Sequence, residues 1–288
     1  MTDARSDFLR ELFDALWRRY RENVIWAAVY EEAVRARGGI FLNDHVAFRT
    51  LAAQSPWSGI AAVARPFEAL GYSAAGAYRF EDKKLSSLHF APPAPGLPKL
   101  FVSELRVWEL SPRARRAALA TCAKARPALN DAALADLARA RDLPAARRRA
   151  LLKAVLAHLH RPWPAPAKSA VETVEAESQF GAWTMLHGHA VNHFTAAVDD
   201  IEKAVAELKS YGVPMKAEIE GARGSKLRQS STEAVTIPTP MRVGGRLTRV
   251  PWTYAYLELA ERPLAGGSRF EGFLGGQATN LFEMTRRG

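Results

Sequence analysis

The chain has 288 residues, 48% of them hydrophobic, and a net charge of +10, a composition typical of a globular protein of one or two domains. No run approaches the roughly 18 uninterrupted apolar residues of a membrane span, and acidic residues interrupt the first thirty positions where a signal peptide would be apolar. The single cysteine, Cys122, excludes an internal disulfide framework and a cysteine-cluster metal site. We therefore predict a cytoplasmic protein with no membrane partner, whose candidate metal ligands are His, Asp and Glu.

The positive charge raises the alternative of nucleic-acid binding, because a basic surface concentrates polyanions. Much of the excess lies in two stretches rich in alanine and arginine, 113–126 and 138–149. Neither has aromatic residues between the charges on which bases would stack. We interpret both stretches as solvated helix faces and predict no nucleic-acid partner.

The first half of the chain divides into two predicted segments. Residues 1–39 form a helical segment, in which apolar residues such as Phe8, Leu12 and Leu16 recur at helical spacing and Gly38-Gly39 ends the pattern. Its apolar stripe must be buried, which indicates a lid or brace on the main body. Residues 40–110 form a first module that reads strand, a short helix from Pro66 to Gly71, and then three strands.

The second half begins with a predicted helical insertion and linker over residues 111–168. Pro127, the pair Asn130 and Asp131, and Pro144 divide it into three or four short helices, before a proline-rich stretch at 161–166. Residues 169–288 form a second module, whose repeated part spans 184–262, followed by a glycine- and phenylalanine-rich loop and a short C-terminal helix. We predict a single integrated catalytic domain.

The two modules repeat one pattern of residues. The stretch 43–49, which contains His45, is echoed by 191–195, which contains His193. Each histidine lies about sixty residues before a strand-like stretch with a glutamate, 101–105 and 256–259. The predicted fold class is therefore α+β, with two βαβββ modules that pair about a local twofold axis into an open, cupped barrel. One N-terminal helix and a helical insertion between the modules complete this prediction.

The repeat brings candidate metal ligands together. His45, His193 and Glu258 lie on strands that would line the cup, and two histidines with one carboxylate leave three positions of an octahedral ion open. This arrangement is typical of Fe(II) in non-haem enzymes, although another divalent metal is possible. Glu104 corresponds to Glu258 in the repeat and is an alternative fourth ligand, but we expect it to be structural because a fourth protein ligand would hinder oxygen chemistry.

Arg49 is the main candidate for substrate binding and catalysis. It lies four residues after His45, so both side chains face the same side of a strand, with Cα atoms about 13 Å apart. A guanidinium there would form a forked pair with the distal carboxylate of a linear dicarboxylate. The polar run at 228–232 supplies further candidates: Arg228 and Gln229 for catalysis, and Gln229 and Thr232 for substrate binding.

The other histidines have ordinary structural interpretations. His89 lacks an echo in the second module, and His158 and His160 lie at a helix end where capping is more common than catalysis. His187 and His189 share strand parity with His193 and are rival ligands. Gly188 between them indicates an irregular start to that strand.

Several motifs together resemble the 2-oxoadipate dioxygenase/decarboxylase family, also called hydroxyglutarate synthase. The matching stretches are 44–50, 99–105, 192–195, 212–221, 227–231 and 256–259. The stretch that follows Thr195 and the closing loop 270–280 depart from the family pattern as we know it.

This resemblance implies a vicinal-oxygen-chelate type of fold and an Fe(II) centre held by His45, His193 and Glu258, with Arg49 holding the substrate. It also implies conversion of 2-oxoadipate and O2 into 2-hydroxyglutarate and CO2, a step of lysine catabolism. Two alternatives remain open. One is a glyoxalase-like metal-dependent isomerase or lyase on the same fold, which would use Glu104 as a fourth ligand with zinc or nickel. The other is a small-molecule binding protein without catalysis. The oligomeric state is not predicted.

Overall fold

The structure, a computed structural model, describes residues 4–53, 55–126, 128–140 and 143–274. Its strands are β1 (Asn43–Leu51), β2 (Ser73–Phe80), β3 (Leu85–Ala91), β4 (Lys99–Leu105), β5 (Val191–Val198), β6 (Arg228–Ser231), β7 (Thr236–Val243), β8 (Arg246–Thr253), β9 (Tyr256–Glu261), β10 (Leu264–Ala265) and β11 (Ser268–Arg269). Seven of them form one mixed sheet in the order β2-β3-β4-β1-β5-β9-β6, while β7 pairs with β8 and β10 with β11.

The helices are α1 (Ala4–Arg21), α2 (Ile25–Ala36), α3 (Ile60–Ala69), α4 (Pro112–Cys122), α5 (Asp131–Ala138), α6 (Ala145–His158), α7 (Lys168–Glu175), α8 (Gln179–His187) and α9 (Ile201–Ser210). Side-chain caps explain several starts: Ser111, Asn130, Ser178 and Asp200 each accept a hydrogen bond from a backbone N–H in the first turn of the helix that follows. None of the described helices is both long and apolar enough to cross a membrane.

Two βαβββ modules meet at the centre of the sheet, which confirms the predicted fold class. The first is β1-α3-β2-β3-β4, in which β1 is parallel to the closing strand β4. The second repeats this with β5, α9, β6 and the closing strand β9. In the place that β2 has in the first module, Glu220 bridges β6 at Gln229 and Met215 bridges Thr232 just after it. The opening strands β1 and β5 pair antiparallel, as a local twofold axis requires.

The second module also carries an insertion that the sequence analysis did not predict. The hairpin β7-β8 lies between β6 and β9 and turns at Gly244 and Gly245, both with positive φ. Two consecutive residues with positive φ suit the tight turn that matches strand twist. Pro238, Pro240 and Pro251 obscure the strand pattern, since proline cannot donate to a central ladder.

Three local expectations were wrong. The N-terminal segment forms two helices, α1 and α2, which break at residues 22–24. The stretch 187–189 is not part of strand β5, because α8 continues to His187 and ends at Gly188 with φ of 64°. The helix expected from Pro66 to Gly71 begins six residues earlier, at Ile60. The predicted division of 111–160 is visible as α4, α5 and α6, although Pro127 and the predicted C-terminal helix lie outside the described residues.

Pro66 inside α3 explains a buried histidine. A proline has no N–H to donate to the carbonyl four residues earlier, which leaves the oxygen of Ala62 without its usual helical partner. His158 Nε2 lies 2.7 Å from that oxygen, and the side chain is buried. His158 therefore satisfies a carbonyl that the proline leaves open, which is a structural role.

The sheet has different neighbours on its two faces. Even-numbered residues of β1 and β5, such as Val46, Phe48 and Phe194, belong to a core with the N-terminal helices and α3. Odd-numbered residues of β1 and β4, such as Ala47 and Phe101, face a second core with α4, α7 and α8. The N-terminal helices thus brace the face opposite to the candidate site, and Tyr20 donates a hydrogen bond to the carbonyl of Tyr256 there.

Candidate metal centre

The three predicted metal ligands meet on the odd-numbered face of the sheet. One ligand atom each from His45, His193 and Glu258 lies within 4.8 Å of the other two. His45 Nε2 is 3.5 Å from Glu258 Oε1, and His193 Nε2 is 3.4 Å from Glu258 Oε2. All three residues are buried. The pairing of β1 with β5 and of β5 with β9 brings them into one pocket, although His45 lies far from the other two along the chain.

His45 is oriented by the residue that precedes it. Its Nδ1 lies 2.8 Å from Asp44 Oδ1, and its Nε2 lies 3.0 Å from the Thr195 hydroxyl on the side of Glu258. Arg262 in turn donates two hydrogen bonds to the Asp44 carboxylate, at 2.7 and 3.0 Å. A carboxylate on the outer nitrogen fixes the orientation of a ligating histidine and raises its basicity.

His193 has a matching but neutral support. Asn192 Oδ1 lies 3.1 Å from His193 Nδ1, and the ring stacks on Tyr256 at 4.9 Å between centroids. Burial lowers the pKa of His193 well below its usual value and also lowers the pKa of His45, although Asp44 opposes the shift at His45. Both rings are therefore kept neutral, the form that ligates a metal.

Glu258 is held by two neighbours through one oxygen. Gln229 Nε2 donates to Oε1 at 2.6 Å, and the Thr195 hydroxyl donates to the same atom at 3.3 Å. The other oxygen, Oε2, is buried without a hydrogen-bond partner among the described residues. Burial raises the pKa of Glu258 to about 8, against the opposing effect of the Gln229 and Thr195 hydrogen bonds.

These residues fit a divalent metal ion. A buried carboxylate oxygen without a partner costs free energy unless a cation or donor compensates it, and this oxygen points toward a neutral imidazole nitrogen. Two imidazoles and a carboxylate suit a first-row transition metal, and three protein ligands leave other positions open. The group is therefore a candidate metal centre, with Asp44, Asn192, Gln229 and Thr195 supporting the ligands.

Arg49 lines the same cavity as the ligands, as predicted from its parity with His45. Its guanidinium lies over the rings of Phe180 and Trp183, at 4.8 and 5.2 Å, and bonds to the phenol of Tyr256. Burial lowers its pKa to about 10, which leaves it cationic at neutral pH. A buried cation set among aromatic rings is suited to recognise a carboxylate.

The polar run of β6 is divided between the two faces of the sheet. Gln229 lines the cavity, whereas Arg228 and Thr232 are of the opposite parity and do not line it. Arg228 pairs instead with Glu202 on α9 and with Glu261. Thr232 Oγ1 accepts a hydrogen bond from the Leu257 backbone. The structure therefore places Arg228 and Thr232 outside the cavity, although we had expected them in catalysis and substrate binding.

Glu104 lies away from the metal centre. Its Oε2 accepts a hydrogen bond of 2.8 Å from the backbone N–H of Ile60, at the start of α3. The sheet register shows why the repeat was misaligned: His193 pairs with Tyr256 and His45 pairs with Lys99, so the counterpart of Glu258 is Phe101. The structural role expected for Glu104 agrees with this placement, and an apolar side chain takes the position of a fourth ligand.

The remaining histidines do not join the ligands in the described part of the chain. His89 bonds to the hydroxyl of Tyr78, and His187 lies on α8 against Trp183 and Tyr254. His189, just after the end of α8, packs near the ring of His158. The rival ligands of the sequence analysis are thus buried packing residues.

Several residues that shape the site were missed as site residues in the sequence analysis. Asp44 and Asn192 could have been found, because each directly precedes a histidine of the repeat and both carry an acceptor oxygen. Thr195 also stood in the quoted motif. Arg262 and Phe273 carry no local signal, since the first reaches Asp44 across 218 positions and the second comes from the chain after the last sheet strand.

The sequence model described as 2-oxoadipate dioxygenase/decarboxylase matches residues 12–284. The chain belongs to this family. That confirms the predicted family, and with it an enzyme of the dioxygenase/decarboxylase class.

Curated relatives agree with the assignment. A chloroplastic 2-oxoadipate dioxygenase/decarboxylase of Arabidopsis thaliana is 28% identical over 84% of this chain and 67% of its own length. A chloroplastic/amyloplastic protein of the same name from Oryza sativa is 27% identical over 97% of this chain and 79% of its own.

Solved structures show the same fold. The hydroxyglutarate synthase of Oryza sativa, crystallised with 2-oxoadipate, has a TM-score of 0.78 and 26% identity, covering 99% of this chain and 94% of its own. A glyoxalase superfamily protein of Ralstonia eutropha has a TM-score of 0.86 and 26% identity, covering 93% and 86%. The fold is therefore that of the glyoxalase superfamily, as the resemblance had implied.

Proposed function

We propose that this protein is an Fe(II)-dependent enzyme that converts 2-oxoadipate and O2 into 2-hydroxyglutarate and CO2. The observation that carries the proposal is the pairing, in one cavity, of an open His45, His193 and Glu258 site with the buried cation of Arg49. The family and the rice structure with 2-oxoadipate support this substrate. The reaction balances, since six carbons and seven oxygens enter and leave.

The protein's own residues would bind, orient and shield the substrate. When bound, Fe(II) supplies chelation of the 2-oxo acid and the electrons for dioxygen chemistry. Arg49 would hold the distal carboxylate, and its fixed position would set the length of acid that reaches the metal. The aromatic wall of Phe101, Tyr256 and Phe273 would exclude water from the reacting end.

Oxygen uptake by anaerobically Fe(II)-loaded protein tests the proposal. The substrate 2-oxoadipate should give oxygen uptake matched by CO2 release, and shorter and longer 2-oxo acids should react less. His193→Ala should abolish oxygen uptake and CO2 release. If no 2-oxo acid of five to seven carbons consumes O2, the proposal fails. Absence of oxygen uptake in a protein with tightly bound zinc or nickel would favour a glyoxalase-like isomerase. Absence of oxygen uptake in a protein without stoichiometric metal would favour a binding protein.

The proposed role of Arg49 has a separate test. Arg49→Lys keeps the charge but loses the forked contact. The transition-state stabilisation that kcat/KM for the dicarboxylate measures should therefore fall by about 1–3 kcal/mol, while metal content stays normal. Arg228→Lys is the matched control, because Arg228 lies outside the cavity and pairs with Glu202. Unchanged kinetics in Arg49→Lys would place recognition of the distal carboxylate elsewhere.

A further inference from the structure

The chain after β9 returns to cover the metal centre. We call residues 270–274 the closing segment, of which Phe273 and Leu274 line the cavity. The Phe273 ring lies 4.8 Å from the ring of His45 and 4.8 Å from that of Phe101, between centroids. One wall of the cavity is therefore supplied by a segment outside the sheet.

In this arrangement the cavity is nearly full. Its volume is about 30 Å³, room for about two water molecules. Cavities that bind small molecules are typically about 300–1,000 Å³. A six-carbon diacid does not fit until part of the wall moves, and the closing segment is the part that no sheet hydrogen bond holds.

Arg262 joins this segment to the support of a metal ligand. The guanidinium donates from Nε and Nη2 to the Asp44 carboxylate, and from Nη1 to the carbonyls of Phe270 and Gly272 at 2.8 and 2.7 Å. Its Cζ also lies 5.1 Å from the centroid of the Phe273 ring. The side chain is buried, so these contacts are made away from competing water.

Two other contacts hold the closing segment. Lys99 Nζ lies 2.6 Å from Glu271 and 3.8 Å from Asp44, so a second cation joins the same two partners. At the other end, the backbone N–H of Phe273 donates to the Tyr78 hydroxyl at 3.2 Å. Tyr78 does not contact Asp44 through any of these bonds, so it anchors the segment alone.

We propose that Arg262 is a positioning residue that makes the orientation of His45 depend on closure of the segment 270–274. With the segment closed, one guanidinium is fixed by the Phe270 and Gly272 carbonyls and fixes Asp44, which in turn fixes Nδ1 of His45. Opening removes those carbonyls and leaves the Arg262 and Asp44 pair free to shift. The ligand would thus be held best when substrate has entered and the wall is closed.

Coupling of this kind is reciprocal. If closure strengthens metal binding by some factor, metal binding must favour closure by the same factor. Loss of support behind a ligand typically weakens metal affinity by about 10- to 100-fold. Metal should therefore slow amide hydrogen exchange in the closing segment, and exchange should report coupling independently of turnover.

The experiment uses Co(II) as a probe. Chelator competition measures the Co(II) affinity, the visible spectrum reports the ligand geometry, and amide hydrogen exchange of residues 265–274 reports closure. Arg262→Lys keeps a cation but cannot make all four bonds. We expect its Co(II) affinity to fall by about 10- to 100-fold, with an altered spectrum and little metal-induced protection of the segment. Arg269→Met is the matched control, because Arg269 also lies in the chain after β9 but pairs with the exposed Asp199 instead of Asp44.

Tyr78→Phe distinguishes coupling from a purely structural role of Arg262. It removes the anchor at Phe273 while leaving Arg262, Lys99, Asp44 and His45 in place, and it should still weaken Co(II) binding and speed exchange. Unchanged Co(II) affinity and spectrum in both variants would overturn the proposal, as would weakening in Arg262→Lys alone. The proposal rests on the metal site above but not on its substrate: failure of the unmutated protein to bind Co(II) would reject the metal site itself.

Discussion

The two modules of the sheet place different side chains at equivalent positions. His45 and His193 occupy matching places on β1 and β5, but Phe101 on β4 stands where β9 has Glu258. The support behind each histidine also differs, with the charged Asp44 in one module and the neutral Asn192 in the other. A symmetric fold therefore builds an asymmetric site, in which one side of the candidate metal centre carries the three potential ligands and the other side is an aromatic wall.

Open coordination at the candidate metal centre depends on the residue at position 101. A carboxylate at position 101 would restore the symmetry and offer a fourth ligand, as the isomerase alternative requires. An aromatic ring there keeps that side free of protein donors and lets Phe273 pack against it. Oxygen chemistry and isomerase chemistry would thus differ at a single site on β4 rather than in the fold.

Phe101→Glu should break the asymmetry with the largest effect. The new carboxylate would approach the metal from β4, so Co(II) or zinc should bind at least as tightly while oxygen uptake falls by two orders of magnitude or more, about the contribution of a required catalytic group. Without metal the variant should be less stable, because a buried carboxylate lacks a partner.

The control for this substitution is Phe101→Leu, which removes the ring without adding a ligand. It should retain most of the oxygen uptake and the same metal affinity, as measured by oxygen electrode and chelator competition. If Phe101→Glu keeps full oxygen uptake, position 101 does not control access to the metal, and the asymmetry of the modules has another purpose.

The sequence predicted the site better than its surroundings, for a physical reason. His45, His193 and Glu258 were found because strand parity and a repeat are local properties. Glu104 was matched to Glu258 because spacing was counted along the chain, whereas sheet register, set by tertiary pairing, matches Phe101. Parity alone could have separated Gln229 from Arg228 and Thr232 on β6.

Other features were beyond such reasoning. The prolines of the hairpin β7-β8 hid its strand pattern. Pro66 hid the early start of α3, and the helix tolerates this proline because His158 bonds to the freed carbonyl. Arg262 acts through Asp44, a contact that depends on how the chain returns after β9. Long-range contacts between single side chains leave no periodic signal in one sequence.

The second contrast between the modules, in histidine support, predicts a smaller effect. Asp44→Asn should give β1 the neutral support that β5 has, and metal affinity should fall by about 10- to 100-fold since the ring loses a charged acceptor. Asn192→Asp, the reverse exchange, should leave affinity equal or higher. Chelator competition on both variants measures this, and unchanged affinity in the two would mean that hydrogen bonding alone, not charge, supports the rings.

The smallest effect is expected at Glu104, the residue that chain spacing had paired with Glu258. Glu104→Ala removes the acceptor of the Ile60 N–H at the start of α3, so the free energy of unfolding should fall by about 0.5–2 kcal/mol, as for loss of a helix cap. Metal affinity should not change, because the carboxylate serves the helix. Glu104→Gln keeps an acceptor oxygen and should recover most of the stability in denaturant titrations. A loss of metal affinity in Glu104→Ala without a loss of stability would instead make this residue a ligand and restore the symmetric, four-ligand site.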